Sequence, residues 1–392
     1  MLKVLFYFFS ITILLLPSTF PISNIIFYIL LISVSLVFLI ESHYAKFDFK
    51  FIILLLFIVF GLVINDIPAV FNAEIKFISY FLVIMTCSSL FYSNSITTLR
   101  TMLFSSLSNV SILICVLSFF GLITGLIPRN NPNEVAGGFS GLYTNSITFG
   151  CLLGVTILIS IDKIYNNKSL KVRNVFSLLV LVFLYELIIS GSRAALGSML
   201  FGALIYIVKI NNFSLIKFFR KNFVYIFLLL LVFVIIIFKN DSLLSAILNK
   251  NEASSSNNDV FYSRRALWDS RINEFWQSPI FGIGFNTVDL SSSHGLHEES
   301  GTIESGSSWL FILSSLGIVG FLIYFWIIFV SFIKNLLFVT LRRCDVIYLS
   351  ILAFFILNMS FEGYVFATSN VLTYYLFLSL YFLFISNKNS KI

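Results

Sequence analysis

Two adjacent arginines, Arg264 and Arg265, lie close to Trp268 in a polar stretch of an otherwise apolar chain. A guanidinium group can hold a phosphate through two parallel hydrogen bonds, and an indole ring nearby can stack on a sugar or a lipid. The three residues therefore predict a binding site for a phosphate-bearing ligand. The alternative is a solvated basic face that is attracted to lipid headgroups.

A third arginine, Arg193, follows Gly191 and Ser192 at the start of an apolar run. A charged side chain at the end of a span is costly to desolvate, so we interpret Arg193 as a substrate-binding candidate. The alternative is an interfacial side chain whose charged end reaches water. Glu186 lies about two helical turns earlier, which on a continuous helix would put it on the same face, able to pair with Arg193 or line its cavity.

Two residues of the polar stretch, His297 and Glu304, are candidate general bases. A histidine or a carboxylate near a sugar hydroxyl can accept its proton. His294 lies three residues before His297 and acidic residues follow, but this spacing is only a weak signature of a metal site. We predict no metal and no cofactor. The alternative is a polar loop without a chemical role.

The composition indicates which kind of scaffold holds these residues. The chain has 392 residues, of which 58% are hydrophobic and 11% are charged, whereas a soluble domain carries about 25% charged residues. This balance predicts an all-α polytopic membrane protein, and the apolar segments suggest about twelve transmembrane helices. The predicted spans are 4–20, 24–41, 50–65, 75–92, 101–127, 139–161, 173–190, 193–210, 222–239, 306–332, 345–362 and 368–386.

We expect residues 1–392 to form a single integral membrane domain, with one large loop at 240–305. Apolar and aromatic residues at helical spacing predict one or two short helices within this loop, over 262–276. An even number of spans puts both termini on one side, and the Lys and Arg residues of the connecting segments place that side in the cytoplasm. The loop 240–305 is then extracytoplasmic. Because the net charge of +7 comes largely from these cytoplasmic segments, we predict no nucleic-acid partner.

One glycine-rich sequence within the loop, from Gly282 to Asn286, needs a separate interpretation. It lacks the third glycine and the strand–helix context of a nucleotide-binding loop. We therefore predict a turn that directs the chain back toward the membrane.

Several short motifs in the same order resemble the O-antigen ligase/polymerase family. The resemblance covers about residues 125–325 and is strongest to a Wzy-type repeat-unit polymerase. The matching motifs are Ser192-Arg193-Ala-Ala-Leu, Ser263-Arg264-Arg-Ala-Leu-Trp268 followed by Pro279, Gly282 and Gly284, and Trp309-Leu310 followed by Leu316-Gly317-Ile-Val-Gly320. Upstream, Arg129, Gly141-Leu-Tyr143 and Asn145 resemble the family's outer-loop segment.

The resemblance implies an activity and roles for several residues. Family members transfer a glycan from undecaprenyl diphosphate to an acceptor hydroxyl at the outer face of the bacterial inner (plasma) membrane, and release the lipid diphosphate. The family's functional arginines correspond to Arg193 and Arg264. The other substrate-binding candidates are Arg265, Arg129, Asn145, Trp268 and Glu186. Membrane lipid, a chain-length regulator and a flippase are candidate partners.

One departure from the family pattern distinguishes a polymerase from a ligase. Ligases carry His-Asn shortly before the Leu-x-Gly-x-x-Gly motif, where this chain has Gly306-Ser307. The sequence therefore favours a polymerase over a ligase, with Glu304 or His297 as the base. A lipid-linked oligosaccharide flippase is the third alternative, although a transporter usually buries its charges near the bilayer midplane.

Overall fold

A computed structural model describes residues 2–19, 22–64, 73–129, 138–211, 262–289, 296–297, 302–303, 306–337, 339 and 341–389. The chain divides into two compact units. The first is formed by Met1–Val110, Ser263–Val339 and Phe355–Ile392, and the second by Ser111–Tyr262 and Thr340–Phe354.

The described secondary structure is almost entirely helical. Two antiparallel pairings of two-residue strands accompany the helices, β1 (Lys46–Phe47) with β2 (Phe91–Tyr92) and β3 (Leu296–His297) with β4 (Thr302–Ile303). The helices are α1 (Leu2–Leu15), α2 (Asn24–Glu41), α3 (Phe49–Ile64), α4 (Ala73–Cys87), α5 (Asn94–Ile123), α6 (Ser146–Asn166), α7 (Leu170–Ile189), α8 (Arg193–Ile210), α9 (Tyr262–Gln277), α10 (Ser308–Phe325), α11 (Ser331–Leu337), α12 (Val346–Asn358) and α13 (Val371–Asn389).

Seven of the helices in the described residues are long and apolar enough to cross a membrane. They are α2, α5, α6, α7, α8, the run Ser308–Leu337 that joins α10 to α11, and α13. The helices α1 and α3 are apolar but shorter. The prediction of an all-α polytopic membrane protein is confirmed at this level. The count of about twelve spans is not confirmed: α4 and α12 have only 15 and 13 residues, and the predicted span 222–239 lies outside the described residues.

Helix α13 forms the core of the first unit, since all of residues 371–383 are buried. Its aromatic side chains pack edge to face against the first helices of the chain. The ring centroids of Tyr374 and Phe9 lie 5.7 Å apart, and those of Phe377 and Phe51 lie 6.0 Å apart. Such pairs contribute about 0.5–1.5 kcal/mol each beyond the area that they bury.

Helix α6 forms the core of the second unit. It is buried from Phe149 to Ser160 and packs against both α7 and α8. The sequence predicted a span that begins at residue 139, but the helix begins at Ser146. The reason is a cap: the side-chain oxygen of Asn145 accepts hydrogen bonds from the backbone N–H groups of Ile147 and Thr148, at 2.7 and 3.3 Å. Such a cap fixes where a helix starts.

Helix α10 is interrupted at Gly317, where φ is +63° and the backbone is not helical. A break of this kind frees N–H and C=O groups that must find other partners inside a membrane protein. The segment that follows α9 supplies these partners through four backbone hydrogen bonds. They run from Ile283 N to Ser314 O (2.9 Å), Gly284 N to Ser315 O (3.0 Å), Ile318 N to Pro279 O (2.9 Å) and Val319 N to Ile280 O (3.4 Å).

This arrangement explains why the glycine-rich turn at Gly282 and the glycine motif at Gly317 occur in the same chain. A Cβ on Gly282 would lie 2.3 Å from the carbonyl carbon of Ser315, and Gly282 itself has φ of +76°. The predicted turn at Gly282 to Asn286 is confirmed as a turn, and its backbone fills the break in α10.

Candidate functional site

Helix α9 carries the side chains of the site on one face. Its sequence contains good helix formers, and it ends two residues before Pro279, as helices commonly do. Arg264, Trp268 and Arg271 lie four and then three residues apart, a spacing that places them on one face. The predicted helix over 262–276 is confirmed, because α9 covers Tyr262–Gln277.

The guanidinium group of Arg264 is held at two points. Its Nη1 donates to the carbonyl oxygen of Gly306 at 3.1 Å, and its Nη2 donates to Oε1 of Glu362 at 2.5 Å. The side chains of Arg264 and Glu362 are 20% and 15% exposed. The pair is therefore largely buried and still partly accessible. By contrast, the neighbouring Arg265 is exposed.

Trp268 binds the same carbonyl group as Arg264. Its Nε1 donates to the Gly306 oxygen at 3.2 Å. Gly306 can approach α9 this closely because it has no side chain: a Cβ there would lie 2.9 Å from Cβ of Leu267, and its φ is +67°. The structure thus brings together two predicted site residues, Arg264 and Trp268, on one backbone carbonyl.

The loop that carries Glu362 is anchored to the start of α10 by backbone groups. The amide of Ser308 donates to the carbonyl oxygens of Met359 and Glu362, both at 2.9 Å. The Ser308 hydroxyl donates to the Glu362 carbonyl at 2.7 Å and accepts from the Tyr364 amide at 3.1 Å, and the Ser307 hydroxyl donates to the Met359 carbonyl at 3.2 Å. These bonds fix the backbone of Glu362 next to Gly306.

Helix α9 contains a buried ion pair between Arg271 and Glu274. Arg271 Nη2 lies 3.0 Å from Glu274 Oε1, and the two side chains are 1% and 0% exposed. The same Glu274 oxygen accepts the amide of Asp289 at 3.1 Å. Burial lowers the pKa of Arg271 and raises that of Glu274, while each charge opposes the shift in its partner. The pair joins α9 to the segment that fills the break in α10.

Arg193 is the first residue of α8 in the second unit, and its side chain is exposed. The preceding residue, Ser192, makes no side-chain cap. A cation at a helix N-terminus opposes the helix dipole, whereas an anion there is favourable. Arg193 therefore stands at a position whose electrostatics suit an anionic ligand.

The turn before Arg193 is packed tightly. A Cβ on Gly138 would lie 2.2 Å from the Ser190 carbonyl oxygen, and one on Gly150 would lie 2.6 Å from Cβ of Ser192. The turn is also short, since α7 ends at Ile189 and α8 starts at Arg193.

Glu186 lies in α7 and is fully buried. Among the described residues, neither of its carboxylate oxygens has a hydrogen-bond partner. The prediction that it shares a helix face with Arg193 is wrong, because the turn at Gly191, with φ of +65°, separates the two helices. A buried carboxyl group without such partners costs free energy, so its presence calls for a role.

The remaining predicted residues are placed as follows. The side-chain oxygen of Asn145 caps α6, and Arg129 is half-buried at the end of a described range. The backbone of His297 pairs with Thr302. Glu304 lies outside the described residues. The roles of these four residues in binding or catalysis stay predictions.

Sequence reasoning missed Glu362. It lies 98 residues from Arg264, and no local motif marks it. One signal was available, because Glu362 is the only charged residue between Asp345 and Lys388.

Among the described residues, no group of three or more His, Cys, Asp and Glu side chains is arranged to hold a metal ion. What the structure brings together is an arginine, an indole and a carboxylate at the start of a broken helix in a mostly helical membrane protein. This arrangement, in a helical membrane protein, is the candidate site.

The comparison with protein families makes the class more specific. Residues 178–325 match the family model Wzy_C, described as O-Antigen ligase. The matched region contains Arg193, Arg264, Trp268, Gly306 and the break at Gly317. The match supports the predicted resemblance to the O-antigen ligase/polymerase family but does not separate polymerases from ligases. A search of curated proteins finds no match.

Proposed function

We propose that this protein is a polysaccharide polymerase. It joins oligosaccharide repeat units carried on undecaprenyl diphosphate at the outer face of a bacterial inner membrane, and it releases the lipid diphosphate. The product is an O-antigen, a capsule or another exopolysaccharide. The observation that carries this proposal is the position of Arg264, which lies partly exposed beside Trp268 and within the region that matches the ligase family.

The proposed reaction is a single displacement at the anomeric carbon of the donor sugar. The bond from C1 to the diphosphate oxygen breaks, and a bond from C1 to the acceptor oxygen forms with inversion. Negative charge grows on the departing diphosphate. Preorganised donors stabilise such charge, and the loss of one donor typically costs about 2.7–4 kcal/mol.

The chemistry of the residues fits this demand. Among the described residues, Gly306 and Glu362 each accept one N–H group of Arg264, and we assign its remaining N–H groups to a diphosphate oxygen. Arg193, at the start of α8, is the second proposed diphosphate ligand, with Arg265 and Arg129 as further candidates. Trp268 offers a ring on which a sugar can stack. The lipid diphosphate is already an activated leaving group, so we propose a metal-independent reaction that needs no nucleotide.

The second candidate function is that of a ligase, which would transfer the glycan to a different acceptor molecule. The description of the matching family as O-Antigen ligase favours it. Against it stands the sequence at the start of α10, where Gly306-Ser307 replaces the His-Asn pair of ligases. A flippase is less compatible with an arginine, an indole and a carboxylate gathered at the end of a helix.

The test uses the purified full-length protein in liposomes that contain a lipid-linked repeat unit. A polymerase converts this substrate into a ladder of longer lipid-linked chains without any added acceptor. A ligase produces no ladder and needs a separate acceptor glycan or lipid. A flippase moves the donor across the bilayer and forms no new glycosidic bond. The last two results would each contradict the proposal.

A further inference from the structure

An acceptor hydroxyl must lose a proton when it attacks the donor sugar. The position that holds a histidine in ligases holds Gly306-Ser307 in this chain, and neither residue can act as a base at neutral pH. A base must therefore come from another part of the structure. The carbonyl group of Gly306 is bound by Arg264, and Arg264 in turn binds the carboxylate of Glu362. The guanidinium group of Arg264 thus links Glu362 to Gly306, which occupies the position of the ligase histidine.

We propose that Glu362 is the general base that deprotonates the acceptor hydroxyl. This inference rests on the proposed glycosyl transfer. It differs from the sequence prediction, which named His297 and Glu304 only because they lie near the motifs in the sequence.

A purely structural role for the carboxylate would be to anchor its own loop. The structure gives that task to other groups: Ser307 and Ser308 bind the backbone of Met359 and Glu362, and Tyr364 binds the hydroxyl of Ser308. None of these bonds uses the Glu362 side chain. The backbone of the loop is thus held by these groups, while the Glu362 carboxylate pairs with Arg264 and, at 15% exposure, is still accessible to an acceptor hydroxyl.

The proton and the electrons balance without a further reactant. The acceptor O–H gives its proton to a carboxylate oxygen of Glu362, and the acceptor oxygen forms the bond to C1. The electron pair of the breaking C1–O bond goes to the diphosphate, whose growing charge attracts Arg264. The positive charge of Arg264 then serves the leaving group, and the carboxylate becomes a stronger base at the moment when the proton moves. Water removes the proton from Glu362 after the product has left.

The first test compares E362Q with a matched control, D269N. Asp269 is an exposed carboxylate on α9, so the control removes a negative charge close to the site but outside it. General-base catalysis contributes about 10²–10⁴-fold. We expect E362Q to lower kcat by about that factor while KM for the lipid-linked donor changes little and the melting temperature is kept. D269N should retain the wild-type kcat.

The second test is chemical rescue by azide, a response that a variant of a purely structural residue would not show. Azide is already anionic and needs no base. In E362A it should therefore attack C1 of the donor, which releases the lipid diphosphate and forms the glycosyl azide with inverted configuration. Azide should not restore release in R264A, which lacks a group that stabilises the leaving diphosphate.

The outcomes separate the inference from the proposed function. If the wild-type protein forms no glycosidic bond, the proposed function fails and the inference fails with it. If the wild type polymerises but E362Q keeps a third or more of the wild-type kcat, only the inference is overturned. The same holds if folded E362A shows no response to azide.

Discussion

Gly317 and Gly282 lie in backbone contact, since a Cβ built on Gly317 would come within 2.6 Å of the Gly282 nitrogen. The break in α10 and the turn after α9 therefore form one structural unit. Each glycine has a positive φ, so each is needed both for its backbone conformation and for the close approach.

The first prediction follows from this contact. G317A and G282A should each lower the melting temperature, because the added methyl group overlaps backbone atoms and the positive φ is strained. The expected cost is about 1–3 kcal/mol for each change. G197A is the control, since Gly197 lies inside α8 and a Cβ there meets nothing within 4 Å. Thermal unfolding in detergent that shows no difference between G317A and G197A would contradict the account.

The second prediction concerns the buried pair Arg271 and Glu274. R271M leaves the Glu274 carboxylate buried without its cation, which typically costs about 3–5 kcal/mol. The double variant R271M/E274L removes both charges and should recover much of this loss. Melting temperatures of the two variants test the pair. A double variant that is less stable than R271M would show that the ion pair is not the source of the effect.

The stability of R271M should also depend on pH. Burial raises the pKa of Glu274, and removal of Arg271 takes away the charge that opposes this shift. Below the unfolded pKa of a glutamate both states are protonated, so the variant carries no ionisation penalty. As pH rises through that value, the unfolded state ionises while the folded carboxyl group resists. The melting temperature of R271M relative to wild type should therefore fall as pH rises, and a flat difference would argue against this explanation.

A third prediction addresses Glu186, whose buried carboxyl group has no hydrogen-bond partner among the described residues. E186L should keep or raise the melting temperature, because it replaces a poorly satisfied polar group with an apolar one. It should lower kcat/KM by about ten- to hundredfold if the carboxyl group binds substrate, which is the usual loss for a hydrogen bond that involves a charged group. E186Q should retain more activity than E186L. Full activity in E186L would remove Glu186 from the site.

The fourth prediction separates the two functions of Trp268. W268F keeps an aromatic ring but loses the hydrogen bond to Gly306, so kcat/KM should fall only about two- to tenfold. W268A also loses the stacking surface and should be more strongly impaired. Steady-state assays of lipid diphosphate release can measure both effects. Equal activity in W268F and W268A would mean that the ring does not contact the substrate.

The membrane helices could be predicted from the sequence because an apolar run of sufficient length is a local signal. Asn145 shows the limit of that signal. The apolar window extends back to residue 139, but the helix starts only where a side chain caps it. The break at Gly317 was hidden for a similar reason: its immediate neighbours Leu316 and Ile318 are apolar, and only the partner segment at Gly282 makes the break stable.

The candidate site could be predicted only in part. Arg264 and Trp268 lie four residues apart and were found from their spacing. Glu362 was missed because its position depends on how α10, α12 and α13 bring their ends together, and no local pattern encodes that contact. The spacing of Glu186 and Arg193 predicts a shared face only on a continuous helix. The turn at Gly191 ends the first helix before Arg193 begins the next.

The most direct test of the proposed function is the turnover of a purified lipid-linked repeat unit by wild-type protein and by R264A. We predict that wild type builds a polymer ladder and that R264A loses about 10²–10³-fold in kcat/KM while it remains folded, with R193A similarly impaired and R265A affected less. If R264A and R193A are well folded and produce polymer of unchanged length and amount, the assignment of these arginines to the lipid diphosphate is wrong.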